Sequence, residues 1–164
     1  MNLLILADTY YPENKSAAYM LQSLSEELHQ QGSQITVITF SFNIEEDFLS
    51  EKINGIEVIR IKIPNPKLNK VKRAFIELSY SRKVIKVLKS YKELKVEGII
   101  YYSPTIFFGK AVKSLKKKFS APSYLIVRDL FPDWLVKTGQ MKKNIIYWFF
   151  KYFERKSFLQ ANFI

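Results

Sequence analysis

The stretch Asn2–Phe40, NLLILADTYYPENKSAAYMLQSLSEELHQQGSQITVITF, decides the fold. It opens on a continuous apolar run, Asn2–Ala7, the mark of a strand buried on both faces. A proline-bearing loop follows at Asp8–Asn14. From Lys15 to Gln31 the apolar positions Ala17, Ala18, Leu21, Leu24 and Leu28 recur at helical spacing, with Gln22, Glu26, Glu27 and Gln30 on the other side. Gly32 stands where a left-handed C-cap is expected, and Gln34–Phe40 reads as a second buried strand. Two such strands joined by an amphipathic helix form a βαβ unit and therefore a parallel pair.

The pattern continues outward. Asn43–Asn54 is polar and acidic and reads as a loop. Gly55–Ile63 alternates as a third strand, nearer an edge, and Pro64 and Pro66 stop it. Asn69–Leu94 is a basic helix with Val71, Phe75, Leu78, Ile85 and Leu88 along one side. Val96–Tyr102 is a fourth strand, ended by Ser103 and Pro104. Ile106–Lys118 is a helix with Phe108, Ala111, Val112 and Leu115 turned inward, and Pro104 near its start. Ser123–Val127 is a fifth strand, and Arg128–Gly139 a loop with a short turn. Lys142–Leu159 is a last helix, and Gln160–Ile164 reads as the opening of a sixth strand. The expected class is α/β, a doubly wound, mostly parallel sheet with right-handed crossovers. Residues 1–164 form one domain, and the unfinished last strand suggests the front part of a longer protein.

Composition narrows the chemistry. The chain has 164 residues, 48% apolar and 25% charged, near the averages for globular proteins. It has no cysteine and one histidine. Disulfide scaffolds, thiolate metal sites and cysteine nucleophiles are excluded, and no metal site is expected. The net charge of +11 is unevenly spread: residues 1–59 carry a net −7, residues 60–118 a net +14, and residues 119–164 a net +4. Such a sided molecule orients against something negative. There is no basic region ahead of the first apolar run and no apolar stretch long enough to span a bilayer, which predicts a cytoplasmic location.

In an open parallel sheet, ligands bind at the carboxyl ends of the strands. The loop after the first strand, DTYYPENKSAAY, has no glycine. The G-x-G-x-x-G of a dinucleotide fold and a P-loop are both absent, which argues against NAD or FAD. Ser16, Ala17 and Ala18 are small and open a helix. They suit a phosphate or carboxylate at the helix N-terminus, or Asn14 or Ser16 simply caps it. After the fifth strand, RDLFPD places Arg128, Asp129 and Asp133 within six residues. Together they can hold a hydroxyl-rich ligand or move a proton. Equally, an Arg–Asp pair pins the loop with Phe131 and Trp134 packed beneath. His29, in a last helical turn, is expected to be exposed. The final helix carries IIYWFFKYF, Ile145–Phe153, flanked by lysines and arginine. It is either buried or, with Trp148, Phe149 and the basic residues Lys70, Lys72 and Arg73, faces an anionic bilayer surface at ~1 kcal/mol per basic residue. The basic belt comes with no nucleic-acid motif, so no nucleic-acid partner is expected.

Taken together, Met1–Phe40, the segment SYLIVRDLFPDWLVKTG and the late stretch FERKSFLQANFI resemble the N-terminal half of family 4 glycosyltransferases of the GT-B architecture. Bacterial fucosamine transferase-like enzymes of O-antigen or capsule synthesis are the nearest subgroup. The resemblance implies a Rossmann-like acceptor-binding domain of a two-domain retaining enzyme. That enzyme needs no cofactor and no metal, and uses a nucleotide-sugar and a lipid-linked saccharide at the inner face of the plasma membrane. It implies a catalytic role for Asp129 and acceptor contacts for Arg128, Asp133, Tyr10, Tyr11 and Ser103. Ser16, Ala17 and Ala18 stand where the family's donor-phosphate loop often carries paired glycines. Alone, this chain would be inactive. The alternative is a non-catalytic membrane-surface or interaction module.

Overall fold

The sheet is built outward from strand β1 (Asn2–Leu6), the first apolar run. The computed structural model describes residues 1–65 and 70–164, with backbone only at 70–72. The remaining elements are α1 (Ser16–Gln30), β2 (Gln34–Ser41), β3 (Phe48–Ile53), β4 (Ile56–Lys62), α2 (Lys70–Leu88), β5 (Gly98–Ser103), a 3₁₀ turn (Ile106–Phe108), α3 (Gly109–Phe119), β6 (Ser123–Val127), α4 (Asp133–Lys137) and α5 (Ile145–Phe158). Six strands lie in the order β3-β4-β2-β1-β5-β6. All pairings are parallel except β3 with β4.

Strand alternation divides the core into two layers. Leu4, Leu6, Ile38, Phe40, Ile99 and Tyr101 face the α2–α3 side, where Tyr80 stacks on Phe40 at 3.8 Å between ring centroids. Ile5, Ala7, Val37 and Tyr102 face the α1 side and pack with Leu21 and Tyr10. With helices on both faces, the doubly wound α/β expectation holds. Helix α1 ends as expected at Gly32, with bonds from Gly32 N to His29 O (2.9 Å) and Ser33 N to Leu28 O (3.0 Å).

Four local expectations need correction. First, the segment read as a loop at Asn43–Asn54 contains β3, an antiparallel edge strand. Its polar residues Ser50, Glu51 and Lys52 hide the strand signal, but Asn54–Gly55 (φ 51° and 84°) makes a two-residue hairpin with Ile53 opposite Ile56. The third strand of the sequence reading is thereby an interior strand. Second, α1 has Lys15 at its N-cap, and neither Asn14 nor Ser16 caps it through a side chain. Third, His29 is half-buried: its Nδ1 pairs with Ser33 O at 3.0 Å, and its ring lies against Gly55. Fourth, the last residues form a single parallel bridge, Tyr124 with Phe163, rather than a strand. Residues 66–69, including Pro66 and the expected start of the basic helix, lie outside the described residues.

Helix α5 closes the α2–α3 face. Tyr101 donates from its hydroxyl to Ser157 O (2.8 Å), and Gly109 brings α3 against the α5 backbone. A Cβ at Gly109 would stand 3.0 Å from Lys156 O, Ser157 N and Ser157 Cα, all backbone atoms that cannot turn aside. Gly109→Ala is therefore expected to destabilise the fold by about 1–3 kcal/mol, seen as a lowered denaturation midpoint with an unchanged m-value.

Candidate functional site

Strand order reverses at β1. The chain leaves β1 through α1 toward β2 on one side, while β5 lies on the other. The loops after β1 and β5 therefore part company and leave a crevice at the carboxyl ends, where open α/β sheets bind ligands. The loops after β1, β5 and β6 border it, and each contains a cis X-Pro bond: Tyr11–Pro12, Ser103–Pro104 and Phe131–Pro132.

Two hydrogen bonds draw these loops together. Arg128 Nη1 donates to Ser16 Oγ at 3.0 Å, across 112 residues of sequence. Ser103 Oγ donates to the carbonyl of Asp129 at 3.2 Å. Arg60, buried on β4, holds the β1 loop from the other side: it donates to the carbonyl of Tyr11 and pairs with Glu51 of β3. Asp129 is exposed at the rim, within electrostatic reach of the Tyr102 hydroxyl. The segments Tyr10–Ser16 and Arg128–Asp133 thus meet at one mouth.

The individual assignments fare unevenly. Arg128, Asp129, Tyr11 and Ser16 are exposed at or near the crevice. Tyr10 is fully buried, with its hydroxyl 2.6 Å from Ser25 Oγ, so it supports the loop from below and cannot touch an acceptor. Ser103 is also buried, with its hydroxyl spent on Asp129 O. Ala18 lies in the core and its N–H is taken by Lys15 O (2.9 Å); Ala17 is half-buried. Of the small-residue trio, only Ser16 presents a side chain. Asp133 turns away from Arg128: Tyr147 OH (2.7 Å) and Lys151 Nζ (2.5 Å) donate to its carboxylate and hold its pKa below the usual range. The Arg–Asp pair foreseen for this loop is not formed among the described residues: Arg128 bonds Ser16, and Asp133 pairs with Lys151 of α5.

Among the nominated membrane-facing residues, the side chains of Lys70 and Lys72 lie outside the described residues. Arg73 is exposed and donates from Nε to Glu77 at 2.8 Å. Trp148 and Phe149 are exposed on α5, at 61% and 43%.

The sequence reading missed Asp8. It sits two residues past β1 at the switch point, close enough to the Thr105 hydroxyl of the β5 loop for that group to lower its pKa. Its Oδ1 is sealed from solvent and has no hydrogen-bond partner among the described residues. Burial pushes its pKa up, against the pull of Thr105, Lys15 and Arg73. Glu77, raised chiefly by burial, and Tyr80, raised chiefly by burial, feel the same Asp8 charge. The available signal was positional: Asp8 is the first residue past a doubly buried apolar run.

With the geometry in place, comparison with known proteins is informative. No protein-family model matches the chain, and no curated protein matches it. Solved structures do. Sucrose-phosphate synthase from Thermosynechococcus elongatus superposes over 98% of the chain with a TM-score of 0.66 at 15% identity. The E. coli trehalose-6-phosphate enzyme bound with UDP-2-fluoro glucose superposes over 95% with a TM-score of 0.50 at 8% identity. The chain has the Rossmann-like fold of a GT-B domain. It spans 41% and 38% of those two chains.

Asp8 carries a stability cost with a definite sign. The folded chain holds the Asp8 proton more tightly than the unfolded chain does. Stability therefore falls as pH rises from the ordinary carboxylate value through the raised one. Asp8→Asn should stabilise the chain at neutral pH by on the order of 1 kcal/mol, and the gain should vanish below about pH 4. Thermal melts of both proteins across that interval check it; a gain that grows on acidification contradicts it.

Proposed function

We propose that this chain is the acceptor-binding half of a glycosyltransferase that moves a sugar from a nucleotide-sugar to a lipid-linked saccharide. The reading is supported above all by one observation: the Arg128–Ser16 bond brings the β6 and β1 loops to one crevice in a GT-B-type fold. The site offers what a polyhydroxylated acceptor needs. Asp129 supplies an exposed carboxylate at the rim, and Arg128 further donors. Carboxylates accept hydrogen bonds from sugar hydroxyls, and one held beside the reacting hydroxyl can take its proton as the new bond forms. We assign that task to Asp129, whose backbone Ser103 fixes.

The finer points belong to the same proposal. The donor sits mostly on a second domain, with its phosphates near Ser16 and the first turn of α1. Anomeric configuration is retained, and neither cofactor nor metal takes part. The acceptor's lipid places the enzyme at the inner, anionic face of a membrane in surface-polysaccharide synthesis. Among the described residues no helix is long and apolar enough to cross a membrane, so association would be peripheral. The aromatic residues exposed on α5 also favour a second reading, a non-catalytic membrane-surface module.

Kinetics separate the two. In a protein that joins this chain to a donor-binding domain, Asp129→Ala should lower kcat by roughly 10²–10⁴-fold, with circular dichroism unchanged. Transfer at the wild-type rate would remove Asp129 from the chemistry. No transfer by the wild-type protein to any lipid-linked saccharide would favour the module.

A further inference from the structure

The α2–α3 side carries a second concavity, far in kind from the carboxyl-end crevice. It is a groove of about 640 Å³ between α2, α3 and α5, within the range of small-molecule clefts. Its floor is aromatic and aliphatic: Ile106, Phe107 and Phe153. Phe75, Tyr152 and Leu159 form its lips and stand 57–67% exposed. Arg82, Lys110, Lys113 and Lys156 ring it, all exposed and none in an ion pair with an acid among the described residues. No acidic residue lines it. Ser81 stiffens the wall, donating to Phe107 O (2.6 Å) and accepting from Ala111 N (3.0 Å).

The groove does not end at its own rim. Along α5, Ile145, Trp148, Phe149, Tyr152 and Leu159 share one face at helical spacing, and each is 43–84% exposed. Lys142 and Lys143 precede that face in sequence, Arg155 borders it, and Lys156 stands within it at helical spacing. An apolar, Trp- and Tyr-bearing stripe bordered by cations lies in the plane of a bilayer interface.

We propose that this groove holds one anionic phospholipid of a bilayer, with its acyl chain over Phe107 and Phe153 and its phosphate among Lys110, Lys113 and Lys156. The stripe on α5 lies in the surrounding interface. Charge complementarity selects the occupant. A second copy of the chain would bring the same basic ring face to face with itself. An acidic peptide would fill the groove but leave the aromatic stripe bare. The inference deepens the membrane part of the reading above and depends on neither the donor nor the acceptor.

The test is flotation of the full chain with vesicles of phosphatidylglycerol in phosphatidylcholine, against phosphatidylcholine alone. Binding is expected to the anionic vesicles and to weaken in high salt. Lys113→Glu with Lys156→Glu should weaken it by about tenfold or more. Lys89→Glu with Lys117→Glu makes the same change of net charge outside the groove and should cost much less. Tyr152→Ser should also weaken binding, with folding checked by circular dichroism for every variant. Equal losses from both lysine pairs would reduce the effect to general adsorption and overturn the proposal. So would equal flotation with neutral vesicles, complete release by inorganic phosphate at matched ionic strength, or self-association in sedimentation in place of flotation. Sugar transfer does not enter these measurements, so they stand or fall apart from the glycosyltransferase reading.

Discussion

Strand β1 is enclosed on every side. β2 and β5 pair with its two edges, and Leu4, Ile5, Leu6 and Ala7 are wholly inaccessible to solvent. A parallel strand with no exposed edge cannot slip by one residue without moving every side chain to the wrong layer. This fixes the register of the central strands, and with it the height at which the loops emerge. Asp8 follows because the chain must leave that enclosed strand at the level where the β5 loop also turns away. A buried carboxylate there is an electrostatic cost, and stability is commonly given up in this way where a fold prepares a site.

The crevice is supported from outside its own loops. Arg60 on β4 reaches from the hairpin side to the Tyr11 carbonyl, and Ser103 on β5 reaches to Asp129 O. Asp133 ties the β6 loop to α5 through Tyr147 and Lys151, and Lys151 also pairs with buried Glu154. Each loop at the mouth is held by a charged or hydroxylated side chain from a neighbouring element. Tethering of this kind limits loop motion and orients groups before a ligand arrives. The two faces of α5 serve different purposes: its inner residues Tyr147, Glu154 and Ser157 lock onto the domain, while its outer stripe stays uncovered.

Much of this was legible in the sequence. The continuous apolar runs at Asn2–Ala7 and Gln34–Phe40, and the helical spacing between them, specify the βαβ unit because both strand faces are buried and only apolar residues satisfy that. Less was legible wherever one residue type has two uses. Tyr10 and Tyr11 are adjacent and chemically identical, yet one anchors in the core on Ser25 and the other lies at the surface. Asp129 and Asp133 share a motif, yet Asp133 finds its cation eighteen residues ahead on another helix. The β3 strand was obscured because an edge strand needs few apolar residues, although its Asn54–Gly55 turn was in plain view.

The sequence by itself determined the alternation of strands and helices, the uneven charge and the absence of a glycine-rich phosphate loop, because these depend on residue type and spacing alone. Tertiary structure decided which carboxylate oxygens are sealed without a partner, which arginine bridges two loops and which aromatics remain in solvent. Those outcomes depend on distances between residues as much as 112 positions apart, and local pattern carries no record of them.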